Sequence, residues 1–150
     1  MKQEIKVELP HNYKGREYQC ELWEKHRLGI KRFVRVWHRR AGKDKDCFNF
    51  MIKEAVKKTG VYYYLFPHFS QGRKILWDGM DKGGFKTLSH IPDCLVQGKP
   101  NSTEMKIRLQ NGSLIQIIGT NNIDSIVGTN PVGCVFSEFS LQDPTAWTLI

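Results

Sequence analysis

The 150-residue sequence predicts an α/β domain: a mostly parallel β-sheet with helices on both faces, incomplete at its C-terminal end. Three observations predict it. β-favouring apolar runs alternate with segments of helical period. One run, Val61-Tyr62-Tyr63-Tyr64-Leu65-Phe66, is continuously rather than alternately apolar, as in a strand covered on both faces. A Gly-Lys pair, Gly42-Lys43, sits between a β-favouring run and a helical one.

The elements follow in order. Pro10, Asn12 and Gly15 mark an extended lead-in. Tyr18, Leu22 and Trp23 form an apolar stripe over 16–28, a helix stopped by Gly29. Phe33, Val34 and Val36 make 31–37 a short strand. From Lys43 to Lys58, Cys47, Phe48, Phe50, Met51, Ile52, Ala55 and Val56 give a helical pattern ending at Gly60. Val61–Phe66 is a strand closed by Pro67, and a helix is expected over 70–77. Gly83-Gly84, Pro92 and Pro100 make 81–103 mostly loop with one short helix. Asn111-Gly112 between 105–110 and 113–118 is a hairpin signal. Gly133–Phe136 is the last strand, and Asp143-Pro144 opens a helix.

Composition narrows the class. With 40% hydrophobic and 25% charged residues the chain has the make-up of an ordinary globular domain, expected to be a single one over 1–150. No apolar run approaches the length of a membrane helix and the first residues lack the apolar stretch of a secretory signal, so a cytoplasmic protein is expected. Cys20, Cys47, Cys94 and Cys134 are too scattered for a disulfide framework or a four-thiolate zinc site and read as reduced core residues. His90 and Cys94 have half the spacing of a metal site, but Pro92 interrupts any helix between them. The net charge of +8 concentrates in Lys31, Arg32, Arg35, Arg39, Arg40, Lys43 and Lys45, a cluster that attracts phosphates or forms a solvated basic face.

The chemistry centres on Trp37-His38-Arg39-Arg40-Ala41-Gly42-Lys43-Asp44. A loop entering a helix N-terminus presents unpaired N–H groups and partial positive charge, and a lysine at its end reaches β- and γ-phosphates. The pattern departs from G-x-x-x-x-G-K-[ST], with Trp37 for the first glycine and Asp44 for the hydroxyl residue. At the far end, Val132–Phe136 leads into Ser137-Glu138, where P-loop ATPases carry a metal-binding carboxylate and a water-orienting glutamate. The two departures are reciprocal, since hydroxyl and carboxylate have exchanged places. Asp44 is therefore expected to bind Mg²⁺ and Ser137 to complete its surroundings.

Arg39-Arg40-Ala41-Gly42-Lys43-Asp44, together with Val135-Phe136-Ser137-Glu138-Phe139, Asp143-Pro144 and Trp147, resembles the deviant Walker A and Walker B segments of phage terminase large subunits. Tyr18-Gln19 resembles that family's adenine-side glutamine region, and Gly128 its glycine turn. The resemblance implies an ATP- and Mg²⁺-dependent P-loop motor that drives double-stranded DNA into a capsid. It would act in the host cytoplasm as a homo-oligomeric ring, with the portal protein and the small terminase subunit as partners. The family's C-terminal nuclease domain and the strand after Glu138 have no counterpart in the sequence, so a partial ATPase domain is expected.

In these roles the backbone of 39–44 and Lys43 hold phosphates, with Lys45 beside them; Glu138 orients water, and Arg39 and Arg40 contact the γ-phosphate in cis. Gln19 reads adenine or is a helix-surface amide, and the arginine pair alternatively faces solvent. The other readings are a helicase-like or recombination ATPase, and a basic DNA-binding module without ATPase activity.

Overall fold

A computed structural model describes residues 4–150. Its sheet has four strands in the order β2-β3-β1-β4, where β1 is Val61–Phe66, β2 Lys106–Arg108, β3 Leu114–Gly119 and β4 Gly133–Phe136. β1 runs parallel to both neighbours, with Tyr62 opposite Ile115 on one side and Gly133 on the other. Only β2 is antiparallel, paired to β3 across the hairpin. The chain is thus α/β with a mixed, mostly parallel sheet. The hairpin turn is wider than two residues: Leu109 N–H donates to Ser113 O (2.8 Å), and Gly112 takes the left-handed φ of 89°.

β1 is central because its side chains suit both faces. Tyr62, Tyr64 and Phe66 enter one core with Phe48, Met51, Ile52 and Ala55 of α2 (Lys43–Lys57), Leu76 of the helical segment after β1, and Ile115 and Ile117 of β3. Tyr63 and Leu65 point the other way, onto Ile118, Ile123, Ile126 and Phe136. Consecutive tyrosines therefore serve opposite cores, as the strand period requires. Trp147 of α4 (Thr145–Leu149) packs tilted against Phe136 on that second face, at 5.4 Å between centroids.

The segment after β1 starts as α3 (Phe69–Gly72) and continues as a π-turn over Arg73–Trp77. Within 81–103 there are two short 3₁₀ turns, Thr87–His90 and Asp93–Leu95. The first helix is shorter than its stripe suggests: a 3₁₀ turn, Glu17–Gln19, leads into α1, Cys20–Arg27.

The expected strand at 31–37 is absent. These residues are extended but join no sheet strand, and Val34 and Val36 are 92% and 89% exposed. The alternation is real, but it faces a helix instead of a neighbouring strand. Phe33 lies against His26, Trp37 meets Tyr18 edge-on at 5.2 Å, and the Arg35 guanidinium turns inward to Asp46 and the Gln19 carbonyl. β-Propensity records a fit to a half-buried surface, and α1 supplies that surface here. Cys20 and Cys94 also depart from expectation, being exposed, while Cys47 and Cys134 are half-buried thiols. Burial pushes the Cys134 thiol up to about 11.

His90 is buried, with Nδ1 lacking a hydrogen-bond partner among the described residues. It packs edge-on to Tyr13 and Phe85. Burial, then the charge of Lys45 and more weakly His11, hold its pKa below the ordinary value, opposed by a His11 backbone contact and by Asp81. The unfolded chain therefore binds this proton more readily. Stability is full above about pH 6.5 and declines as pH falls through that value. We expect the melting temperature to drop from pH 7 to pH 5 by more in the wild type than in His90→Phe; equal drops would show that other groups carry the acid sensitivity.

Candidate phosphate and metal site

α2 begins without a side-chain cap, so its first N–H groups have no partner from that source. Its N-cap, Gly42, has φ 78°, a conformation open to glycine at little cost. Arg40, two residues earlier, is also left-handed, at φ 65°. The turn is closed by Ala41 N–H to His38 O (3.4 Å), and Gly42 O accepts from Asp46 N–H (3.0 Å). Lys43 reaches back to donate to Trp37 O at 2.9 Å, which arches its side chain over the loop. Arg39 and Arg40 are exposed, and Lys45 lies 3.6 Å from Asp81, both half in solvent. A lone exposed pair of that kind contributes little to stability.

The C-terminal end of β4 arrives at the same place. Ser137 N–H donates to Leu65 O (2.8 Å), which extends the β1 pairing by one residue and fixes the serine backbone. The Gln142 amide donates to Ser137 O (2.7 Å) and Leu65 O (3.2 Å), bracing the turn from below. Ser137 Oγ then donates to Asp44 Oδ1 at 2.6 Å, joining residues 93 apart in sequence. Tyr64, fully buried on β1, donates to the same oxygen at 2.8 Å. Burial, followed by the Asp44 charge, pushes the Tyr64 hydroxyl well above its usual range, so it stays a donor. Glu138 follows in a left-handed conformation, φ 53° and ψ 47°, with its side chain in solvent.

The expected exchange of carboxylate and hydroxyl thus has a geometric counterpart: Asp44 and Ser137 touch. Two hydroxyls occupy Oδ1, and among the described residues no hydrogen bond engages Oδ2. One carboxylate with a free oxygen, a neighbouring hydroxyl and open water positions suits Mg²⁺, which retains several waters and shares phosphate oxygens. The donor set therefore fits that ion. Among the described residues no group of three or more His, Cys, Asp or Glu side chains gathers, around Asp44 or around His90 and Cys94, so Asp44 is the one protein carboxylate such an ion would meet there.

Gln19 is neither on a helix surface nor open to solvent. It is 3% exposed, and its amide bonds to the loop itself: Nε2 donates to Ala41 O at 3.0 Å, while Oε1 accepts from Arg16 N–H at 2.8 Å. Beneath it lies a network that the sequence reading missed. Asp46, with no exposed surface, accepts from Tyr13 OH (2.7 Å) and Trp23 Nε1 (2.9 Å) and pairs with Arg35. Burial is the largest single influence and works against the Arg35 charge, but the bond and charge of Asp46 together with the Cys47 thiol outweigh it, and the net shift is upward. One basic residue of the 31–45 cluster is therefore a structural cation, whereas Arg32, Arg39 and Arg40 remain on the surface.

Fold and site together define a mostly parallel α/β domain with a polar centre where a helix N-terminus meets the end of a strand. No family model, curated protein or solved structure is significantly similar to the chain. Among the described residues no helix is long and apolar enough to cross a membrane.

Proposed function

We propose that this chain is a P-loop ATPase domain and, more specifically, the ATP-hydrolysing part of a viral DNA-packaging terminase large subunit. The observation that carries the proposal is the 2.6 Å contact between Ser137 and Asp44, which brings the two motif segments together with their ligand types exchanged. On this reading the uncapped α2 N-terminus and Lys43 hold the β- and γ-phosphates of ATP. Asp44, seconded by Ser137, would hold Mg²⁺, which supplies charge neutralisation across the phosphates. Glu138 orients the attacking water, and the exposed Arg39 and Arg40 reach the γ-phosphate. Double-stranded DNA, the portal, the small subunit and ring assembly follow from the family resemblance.

The test is calorimetric titration of MgATP into the wild type and Lys43→Ala. Loss of one charge-assisted phosphate contact should weaken binding about tenfold or more. Equal affinity in both proteins, or no binding by the folded wild type, would remove the P-loop. One observation favours the second reading, a basic nucleic-acid-binding module: 31–37 lies outside the sheet with Arg32 and the Arg39-Arg40 pair in solvent. That module would bind DNA in a salt-sensitive way, and Lys43→Ala would cost it one charge and nothing more.

A further inference from the structure

The Ala41 carbonyl, one peptide before the N-cap of α2, accepts two hydrogen bonds from a single turn. Tyr18 OH donates at 2.9 Å and Gln19 Nε2 at 3.0 Å. Each donor is itself set. Arg16 Nη1 donates to the Tyr18 oxygen at 2.6 Å, which leaves the tyrosine's own hydrogen for Ala41. The Arg16 N–H on Gln19 Oε1 fixes which way the amide points. Packing is equally close, since a Cβ on Gly42 would come within 3.0 Å of Gln19 Nε2.

A peptide unit is planar and trans, so its C=O and N–H point in opposite directions. A carbonyl held toward the Glu17–Gln19 turn sends the Gly42 N–H away from that turn, to a side where among the described residues no acceptor takes it. Were the Ala41–Gly42 peptide to flip, a carbonyl oxygen would face that side and repel an anion. Glycine at 42 has the freedom for such a flip, and the turn supplies the restraint.

We infer that Tyr18 and Gln19 are positioning residues: they clamp the Ala41–Gly42 peptide so that the loop presents N–H groups to a polyphosphate chain, whatever base that chain carries. This rests on the phosphate-loop reading, and it gives Gln19 a role distinct from adenine recognition. A base-reading amide needs its oxygen and nitrogen free, whereas here the oxygen is engaged and one N–H is given to Ala41.

The full chain with Tyr18→Phe tests it, because Tyr18 is 46% exposed and loses one hydroxyl without opening a cavity. Binding of ATP, GTP and inorganic tripolyphosphate, each with Mg²⁺, is measured beside the ¹³C shift of the Ala41 carbonyl. The expected result is a roughly three- to tenfold weakening that is the same for all three ligands, the worth of one such bond. The carbonyl resonance moves, and the melting temperature falls by no more than the few degrees that one such bond is worth. Gln19→Leu should weaken all three ligands alike as well. A loss confined to ATP in either variant would overturn the clamp in favour of base recognition, and unchanged affinities with an unmoved carbonyl would overturn it outright. If the wild type binds no polyphosphate, the phosphate-loop reading fails by itself. The Ala41 resonance then decides the clamp, and an unmoved signal in Tyr18→Phe overturns it.

Discussion

Asp46→Ala should destabilise the chain by about 3–5 kcal/mol, the usual consequence of removing one partner from a buried ion pair. Asp46 has no exposed surface and receives Tyr13, Trp23 and Arg35 from three separate segments. Without the carboxylate, a guanidinium with only 12% of its side chain exposed is left facing a dry interior with no counter-charge. Much of the effect is that uncompensated charge, so Arg35→Met combined with Asp46→Leu should recover a large part of the loss. Urea denaturation at neutral pH measures both. A single-variant loss below about 1 kcal/mol would mean that the network is solvated and does not hold the N-terminal segment to α2.

The second large effect concerns chemistry. Asp44→Asn retains an oxygen able to accept from Ser137 and Tyr64, so the fold at the junction of α2 and β4 should survive. What disappears is the negative charge that suits Mg²⁺. On the proposed reading, Mg²⁺-dependent ATP turnover falls by about a thousandfold, the scale of losing several kcal/mol of transition-state charge stabilisation. Nucleotide affinity also stops rising with Mg²⁺ concentration. Turnover equal to wild type would dismiss Asp44 as a metal ligand and leave its contact with Ser137 as a structural hydrogen bond.

Sequence patterns located the elements whose identity depends on their own residues. β1 was legible because six β-formers in a row between Gly60 and Pro67 have few alternatives, and α2 because its apolar stripe continues for four turns. The hairpin followed from Asn111-Gly112, and β4 from a short apolar run before a polar pair. The segment 31–37 escaped because its residues describe a surface preference, while its partner is chosen by contacts remote in sequence. Arg35 meets an aspartate on α2, Phe33 meets α1, and Trp37 meets the 3₁₀ turn before it.

The same limit governs the candidate site. Gly42, Lys43, Asp44 and Ser137 were named from two short motifs, and the structure brings Asp44 and Ser137 into contact. Tyr64 gave no signal of its own, because a tyrosine inside an apolar strand looks like core until its hydroxyl finds Asp44. Gln19 was named from the family resemblance, and its burial with its amide on the Ala41 carbonyl gave no sequence signal, because it depends on contacts remote in sequence. Asp46 was invisible for a related reason. A charged residue in the first turn of a helix normally faces water, and only tertiary packing turns this one inward.

Glu138 carries a backbone cost at the end of β4. A side chain other than glycine in the left-handed region costs on the order of 1 kcal/mol, and among the described residues the Glu138 carboxylate makes no hydrogen bond that offsets it. Glycine there would relieve the backbone and remove the carboxylate. Glu138→Gly is therefore expected to raise the melting temperature, whatever the exchange does to turnover.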